Sequence, residues 1–260
     1  VQIVNQKGVY PCRVCLGHSR PVPDLHYSPV NSLIASSCKD GRPKVRDACT
    51  GATRATFEGH KGAVWCSRLS ADTSRLVSGS ADYTAKLWNV ETAELLQSFE
   101  HPSLVRAVDF TLDGTHILSG GKDNIVRLFD SSLAEAPVWS LPGVHADTIR
   151  TVRSLPGCPD LVLTADGSSM LRVLDRRTSE VVRDVRVPGS LASVQLTQDG
   201  RTVCVAAGKS SLFYSSDTLE LLRQIDHPVE VNSCALAPCR DKQGRLLFAA
   251  GGMDFYMRVG

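Results

Sequence analysis

VSGSADYTAKLWNV, residues 77–90, has company elsewhere in this chain of 260 residues. LSGGKDNIVRLFD at 118–130 and LTADGSSMLRVLD at 163–175 repeat its form, and those two align without a gap. A histidine stands upstream of each copy. His18, His60, His101 and His145 follow one another at steps of 42, 41 and 44 residues, and His227 lies 82 further on. The fifth repeat lacks its histidine and starts near 188–189. Around residues 77–90 the apolar runs are AVWCSRL, SRLVSGS, TAKLWNV and LLQSF. Several alternate apolar and polar residues with a period of two, as half-buried strands do. The breaks between them (SADTS, SADY, NVETAE) are turn chemistry. Four short strands in every 40 to 45 residues make a β-propeller blade.

Composition agrees with a globular chain. Apolar residues make up 42% and charged residues 22%, which excludes disordered and fibrous classes. A net charge of +2 gives no bulk attraction to nucleic acid or membrane, so charge-driven binding needs a local patch. No apolar run approaches the length of a membrane-spanning helix, and no membrane insertion is expected. The first residues lack the apolar core of a secretory signal. Nine cysteines are scattered along the chain. The expectation is a reduced, cytoplasmic protein that also visits the nucleus.

GH at 59–60, SGSAD at 78–82 and LWN at 87–89 resemble a WD40 repeat, and weaker copies cover nearly the whole chain. The resemblance implies an all-β WD40 propeller. It also implies a hydrogen-bonded tetrad of His, Ser or Thr, Asp and Trp inside each blade. The second repeat offers His60, Ser78, Asp82 and Trp88. The third offers His101, Ser119 and Asp123, with Phe129 in the Trp place. The first has His18, Ser36 and Asp40, with Arg46 in the Trp place. The fourth has His145 and Thr164, with Ser168 in the Asp place. The fifth has almost none, and the sixth has His227 and Asp254. A buried Asp or His is costly unless paired, so blades 2 and 3 are expected to be the best specified.

The repeats divide the chain as one propeller domain. Residues 1–16 form a closing outer strand, and the blades cover 17–57, 58–99, 100–142, 143–186 and 187–225. Residues 226–260 make a partial sixth. WD40 rings usually close with seven blades, so six visible repeats suggest a fragment of a longer protein. Six blades alone would leave open sheet edges.

A finer resemblance lies in GHSRPVPDL (17–25), CKDGRPKVRDACTG (38–51), FEGHKGAVW (57–65) and VDFTLDGTHILSGGKD (108–123). These are similar to the serine/threonine kinase receptor-associated, or UNR-interacting, family of WD40 proteins. That resemblance implies a non-enzymatic scaffold. Its partners would be proteins: components of the SMN complex in small nuclear ribonucleoprotein assembly and mRNA splicing, UNR-like proteins, and receptors of the transforming growth factor β pathway. RNA association would be indirect. The alternative family is the WD-repeat subunit of translation initiation factor three, which shares the GH-x-GAVWC phrase and VNSCALAP.

Catalytic readings fare poorly. AAGKSS at 206–211 ends like a phosphate-binding loop, but Val203 stands where its first Gly belongs. Cys12 and Cys15 have no second CxxC to complete a zinc set. The Ser, His and Asp of each repeat lack a strained nucleophile elbow. No cofactor, metal or small-molecule substrate is expected. His26 and His116 fall outside the repeat pattern and are expected near blade surfaces.

The family's partner-contacting positions lie on the top face, near the central channel. Carried over, they give Pro23, Trp65, Arg106, Arg150 and Asn232 after the histidines. Before the tetrad Asp they give Lys39, Ala81, Lys122 and Met253. Lys39, Trp65, Arg106, Lys122 and Arg150 together make a basic ring with one aromatic, suited to an acidic peptide.

Overall fold

The computed structural model describes residues 4–5, 8–9, 17–28, 30–132, 136–197, 199–240, 246–252 and 257–259. Every regular element among them is a strand. A hairpin of β1 (Val4–Asn5) and β2 (Gly8–Val9) comes first. The first blade is β3 (Asp24–Ser28), β4 (Leu33–Ser37), β5 (Lys44–Asp47) and β6 (Thr53–Thr56). The second is β7 (Val64–Leu69), β8 (Arg75–Ser80), β9 (Thr84–Asn89) and β10 (Leu95–Glu100). The third is β11 (Val105–Phe110), β12 (His116–Gly121), β13 (Val126–Asp130) and β14 (Trp139–Leu141). The fourth is β15 (Ile149–Ser154), β16 (Leu161–Asp166), β17 (Met170–Asp175) and β18 (Glu180–Arg186). The fifth is β19 (Leu191–Leu196), β20 (Thr202–Ala207), β21 (Ser210–Ser215) and β22 (Leu221–Asp226). A three-stranded sheet follows, with β23 (Val231–Arg240), β24 (Leu246–Gly252) and β25 (Met257–Val259). Each sheet is an antiparallel meander.

The fold is therefore an all-β WD40-type propeller with five four-stranded blades and one three-stranded sheet. The expected count of six or seven blades is not reached among the described residues. Most of the expected closing strand, residues 10–16 with Cys12 and Cys15, lies outside the described residues, as do Met253 and Asp254.

Local chemistry sets the turns. Between β7 and β8, Asp72 accepts the hydroxyls of Ser70 and Ser74, and Thr73 takes a positive φ of 60°. Short polar side chains hold such turns by bonding the local backbone. Lys209 of AAGKSS sits beside Gly208 in the two-residue turn joining β20 to β21, where Ala207 pairs with Ser210. A tight hairpin, not a phosphate loop, uses that glycine, whose φ is +54°.

The apolar face of each sheet meets its neighbour. Ala35, Val45 and Phe57 of the first blade pack with Leu69, Leu76 and Trp88 of the second. Val77 and Leu87 then pack with Val108, Ile117 and Phe129, and the pattern continues round to Cys204 and Phe213 against Val231, Cys234 and Phe248. Gly120 is small for this reason: a Cβ there would lie 2.7 Å from Ile149 Cγ2 of the next blade.

One irregularity recurs. The first strand of the second blade slips register against its partner between Val64 and Cys66. The same slip falls between Val105 and Ala107, Ile149 and Thr151, Leu191 and Ser193, and Val231 and Ser233. The residues left out of the ladder are Trp65, Arg106, Arg150, Ala192 and Asn232. Bulges of this kind re-aim a side chain, and here they aim five of them toward the channel.

Candidate functional site

The second blade carries the complete tetrad. Nδ1 of His60 lies 2.8 Å from Asp82 Oδ2, and Nε2 lies 2.8 Å from Ser78 Oγ. The indole N–H of Trp88 donates to the same hydroxyl at 2.8 Å. Asp82 also accepts the backbone N–H of Lys61 and the hydroxyl of Thr84. Burial works against its charge, but these donors hold its carboxyl well below the ordinary range. The first blade repeats the pattern with His18, Asp40 at 3.2 Å and Ser36 at 2.8 Å. Asp40 is held down to about 2, against the pull of burial, by hydrogen bonds that start with the Arg42 backbone. Arg46, in the Trp place, is buried.

Two tetrads differ from the sequence reading. In the third blade His101 bonds Ser119 at 2.8 Å, but its Nδ1 meets the carbonyl of Phe99 at 3.0 Å rather than Asp123. Asp123 pairs instead with Arg127, four residues on. Its neighbour in sequence supplies a full charge, which an imidazole at neutral pH does not. In the fourth blade the acid is Asp166, not Ser168. Its Oδ2 lies 3.0 Å from His145 Nδ1 and 2.6 Å from Arg172 Nη1. The gap-free alignment of residues 163–175 on 118–130 moved the acid's column by two. His227 bonds Ser211 of the preceding blade at 2.9 Å.

His18, Cys38 and Asp40 lie within 4.8 Å of one another. Both imidazole nitrogens already serve Asp40 and Ser36. The Cys38 thiol donates to the Arg20 carbonyl, and burial pushes its pKa up. The trio reads as a tetrad with a buried thiol beside it.

The channel is the concave site that sheet geometry builds. A cavity of about 440 Å³ is lined by Pro23, Trp65, Arg106, Arg150 and Asn232, five positions read from the histidine spacing. Trp65 is partly buried in this lining. The Arg106 guanidinium stacks 4.4 Å from its ring centroid and the Lys39 ammonium lies 5.0 Å from it. Cations over an indole face are held by the ring quadrupole. Burial, then the nearby Arg150, push the Arg106 pKa down. Arg150 donates to the Leu191 carbonyl at 2.7 Å. Lys122 is exposed and, like Ala81, is not part of this lining. The structure thus gathers Trp65, Arg106 and Arg150 in one lining, sets Lys39 over the Trp65 ring from outside that lining, and leaves Lys122 apart.

A second layer was missed by the sequence reading. Three residues beyond Pro23, Trp65, Arg106 and Arg150 stand His26, Arg68, Asp109 and Arg153, and Gln195 stands three beyond the bulged Ala192. Arg68 is buried and pairs with Asp24. His26 is not a blade-surface residue: its Nδ1 accepts the Leu69 N–H at 3.1 Å, and burial, with Arg68 and Arg153, lowers it to about 3. The histidine-plus-eight spacing carried this signal for His26, Arg68, Asp109 and Arg153.

The family model described as WD domain, G-beta repeat matches residues 10–47, 51–89 and 93–130. The serine-threonine kinase receptor-associated protein of Dictyostelium discoideum is 35% identical over 249 residues, 95% of this chain and 83% of that protein. Eukaryotic translation initiation factor 3 subunit I of Culex quinquefasciatus is 30% identical over 240 residues, 86% of this chain and 73% of that one. A chain in a crystal structure titled as the mitotic checkpoint complex superposes with a TM-score of 0.80 at 21% identity, covering 94% of this chain and 78% of its own. That last likeness concerns the fold alone.

Proposed function

The chain belongs to the family of serine-threonine kinase receptor-associated proteins, within the WD40-repeat proteins, and from that footing we propose that it is a non-enzymatic scaffold whose channel mouth grips an acidic segment of a partner protein. The observation that carries this is Trp65, with Lys39 and Arg106 stacked over its ring and Arg150 in the same lining of bulged strands. Trp and Arg are the usual anchors of interfaces, and a guanidinium pairs bidentately with a carboxylate. Rigid blades hold these groups at fixed spacing, so binding demands little reorganisation. Reversing Lys39, Lys122 and Arg150 to Glu abolishes partner capture on this reading, while the far-ultraviolet dichroism and melting temperature stay in place. Unchanged capture refutes it.

The family likeness supports a role in ribonucleoprotein assembly of the SMN type, with UNR-like proteins as further partners and RNA reached only through protein. A part in kinase-receptor signalling belongs to the same proposal. We place the protein in the cytoplasm, with a share in the nucleus. Capture from its own cells, with and without RNase, tests this: RNase-resistant Sm or SMN-complex proteins support it. Initiation-factor subunits in fixed stoichiometry favour the second reading, which the 30% identity to subunit I motivates.

We also propose that the ring has more than five blades, the β23–β25 sheet being the sixth and a further blade covering β3. Leu25 and Tyr27 on β3 are 60% and 48% exposed. The matching positions of β7 and β11, Ser67 with Leu69 and Val108 with Phe110, are buried against the preceding blade. Leu25→Glu therefore destabilises the protein made in its own cells. A neutral effect there removes the extra blade.

A further inference from the structure

The channel gathers more positive charge than it neutralises. Its lining includes the guanidinium groups of Arg68, Arg106, Arg150 and Arg153. Facing them are Asp24, paired with Arg68, and Asp109, which accepts the Ser154 N–H. Burial raises the Asp109 carboxyl above the ordinary range, so it is a reluctant counter-charge. Arg106, Arg150 and Arg153 form no ion pair among the described residues, and Asp109 and Asp24 act on Arg153 only from beyond salt-bridge distance. Arg153 donates to the Val152 carbonyl at 3.1 Å and otherwise looks into the cavity. Arg106 and Arg153 are partly buried while Arg150 is exposed, and a desolvated charge without a contact partner is costly. Natural sequences remove such groups unless something present in the working protein neutralises them.

We propose that the channel binds a phosphate-type oxyanion, free or carried on a phosphorylated side chain, between Arg106, Arg150 and Arg153, with Arg68 behind them. Planar guanidinium groups match the tetrahedral oxygens of phosphate bidentately. Ordinary ligand pockets run from about 300 to 1,000 Å³, and the cavity of about 440 Å³ falls within that range. A compact multivalent anion satisfies several donors at once where a single carboxylate satisfies one or two. The site shares Arg106 and Arg150 with the scaffold reading, while Arg153 lies a layer deeper and belongs to the anion alone.

The test is isothermal titration of the whole chain at low ionic strength with inorganic phosphate, pyrophosphate, a phosphoserine peptide and its unphosphorylated twin. Saturable binding of phosphate or pyrophosphate supports a free anion. Binding of the phosphopeptide alone supports the same site with a carried phosphate. Arg153→Met weakens binding by roughly tenfold or more and melts at the same temperature as the wild type or higher, because it removes a desolvated charge that Arg68 repels. Arg153→Lys and Lys122→Glu keep most of the affinity. Should Arg153→Met not fold, Arg150→Met, at the exposed mouth, must show the same loss. No saturable binding by any probe, equal binding by Arg153→Met, or equal binding of the unphosphorylated peptide overturns the proposal. Partner capture measured on Arg153→Met separates the two readings, since that variant leaves the mouth intact.

Discussion

Asp166 Oδ2 sits 3.0 Å from Nδ1 of His145, and the same oxygen lies 2.6 Å from Arg172 Nη1. One carboxylate, fully buried, thereby anchors both a histidine and a guanidinium in the fourth blade. Ser168 donates its hydroxyl and backbone N–H to the other oxygen. The serine supports the aspartate and does not replace it.

That hierarchy predicts unequal mutants. Asp166→Ala strands His145 and Arg172 without their shared acceptor and costs about 3–5 kcal/mol, as breaking a buried pair does. Ser168→Ala removes a neutral donor and costs about 1 kcal/mol. Denaturant midpoints measure both. Equal losses, or a larger loss for Ser168, mean that Asp166 is not the anchor.

How much of this was readable beforehand depends on what sets each feature. Blade spacing and the second tetrad follow from local pattern, because His60, Ser78, Asp82 and Trp88 recur at fixed offsets and their turns are chemically specified. The mouth residues were also legible, since the histidine offset marks the bulged position in β7, β11, β15 and β23. Asp166 was missed because a column in an alignment is not a distance, and the turn at Gly167–Ser168 brings the acid back two residues. Asp123 was misread because Arg127 outcompetes an imidazole for it, a contest that no repeat pattern displays. The deeper ring of Arg68, Asp109 and Arg153 arises when strands from separate blades converge. Sequence separations of about 40 residues hide that convergence.

Three histidines held below their ordinary pKa, His26, His101 and His145, make stability depend on pH. Burial chiefly lowers His101 to about 4, and burial with Arg68 and Arg153 lowers His26 to about 3, although Asp24 opposes that. Unfolded histidines titrate near 6.5. The folded chain thus binds fewer protons than the unfolded chain between those values. Stability is fully present above about pH 6.5 and falls as the pH drops toward 4. Each histidine contributes a slope of up to about 1.4 kcal/mol per pH unit. His101→Asn removes its share of the slope. Unfolding free energies from pH 7 to 4.5 that stay flat in the wild type contradict the assignment.

Blade contact is tight enough at Gly120 to be tested by one methyl group. A Cβ there meets Ile149 Cγ2 at 2.7 Å and Val152 Cγ2 at 3.1 Å, inside a close-packed seam. Gly120→Ala therefore costs about 1–3 kcal/mol through overpacking. Trimming the obstacle with Ile149→Ala relieves part of that strain, so the double variant loses less than the sum of the singles. Additive losses indicate that the seam yields elsewhere.

The channel mouth predicts a graded response to charge reversal. Arg150, itself exposed, lines the cavity and Trp65 carries Lys39 and Arg106 over its ring, whereas Lys122 stands outside the lining. A central anchor that a partner desolvates on binding is worth about 2 kcal/mol or more, roughly 30-fold in affinity, while a rim charge alters mostly the association rate. Trp65→Ala and Arg150→Glu each weaken capture of an acidic partner segment by about that factor. Lys122→Glu changes it by less than about threefold and loses even that effect at high salt, because exposed charges are screened beyond about 10 Å at 0.1 M. Equilibrium binding at two ionic strengths distinguishes the classes. If Lys122→Glu proves as damaging as Arg150→Glu at both, the partner sits on the outer rim and not over the channel.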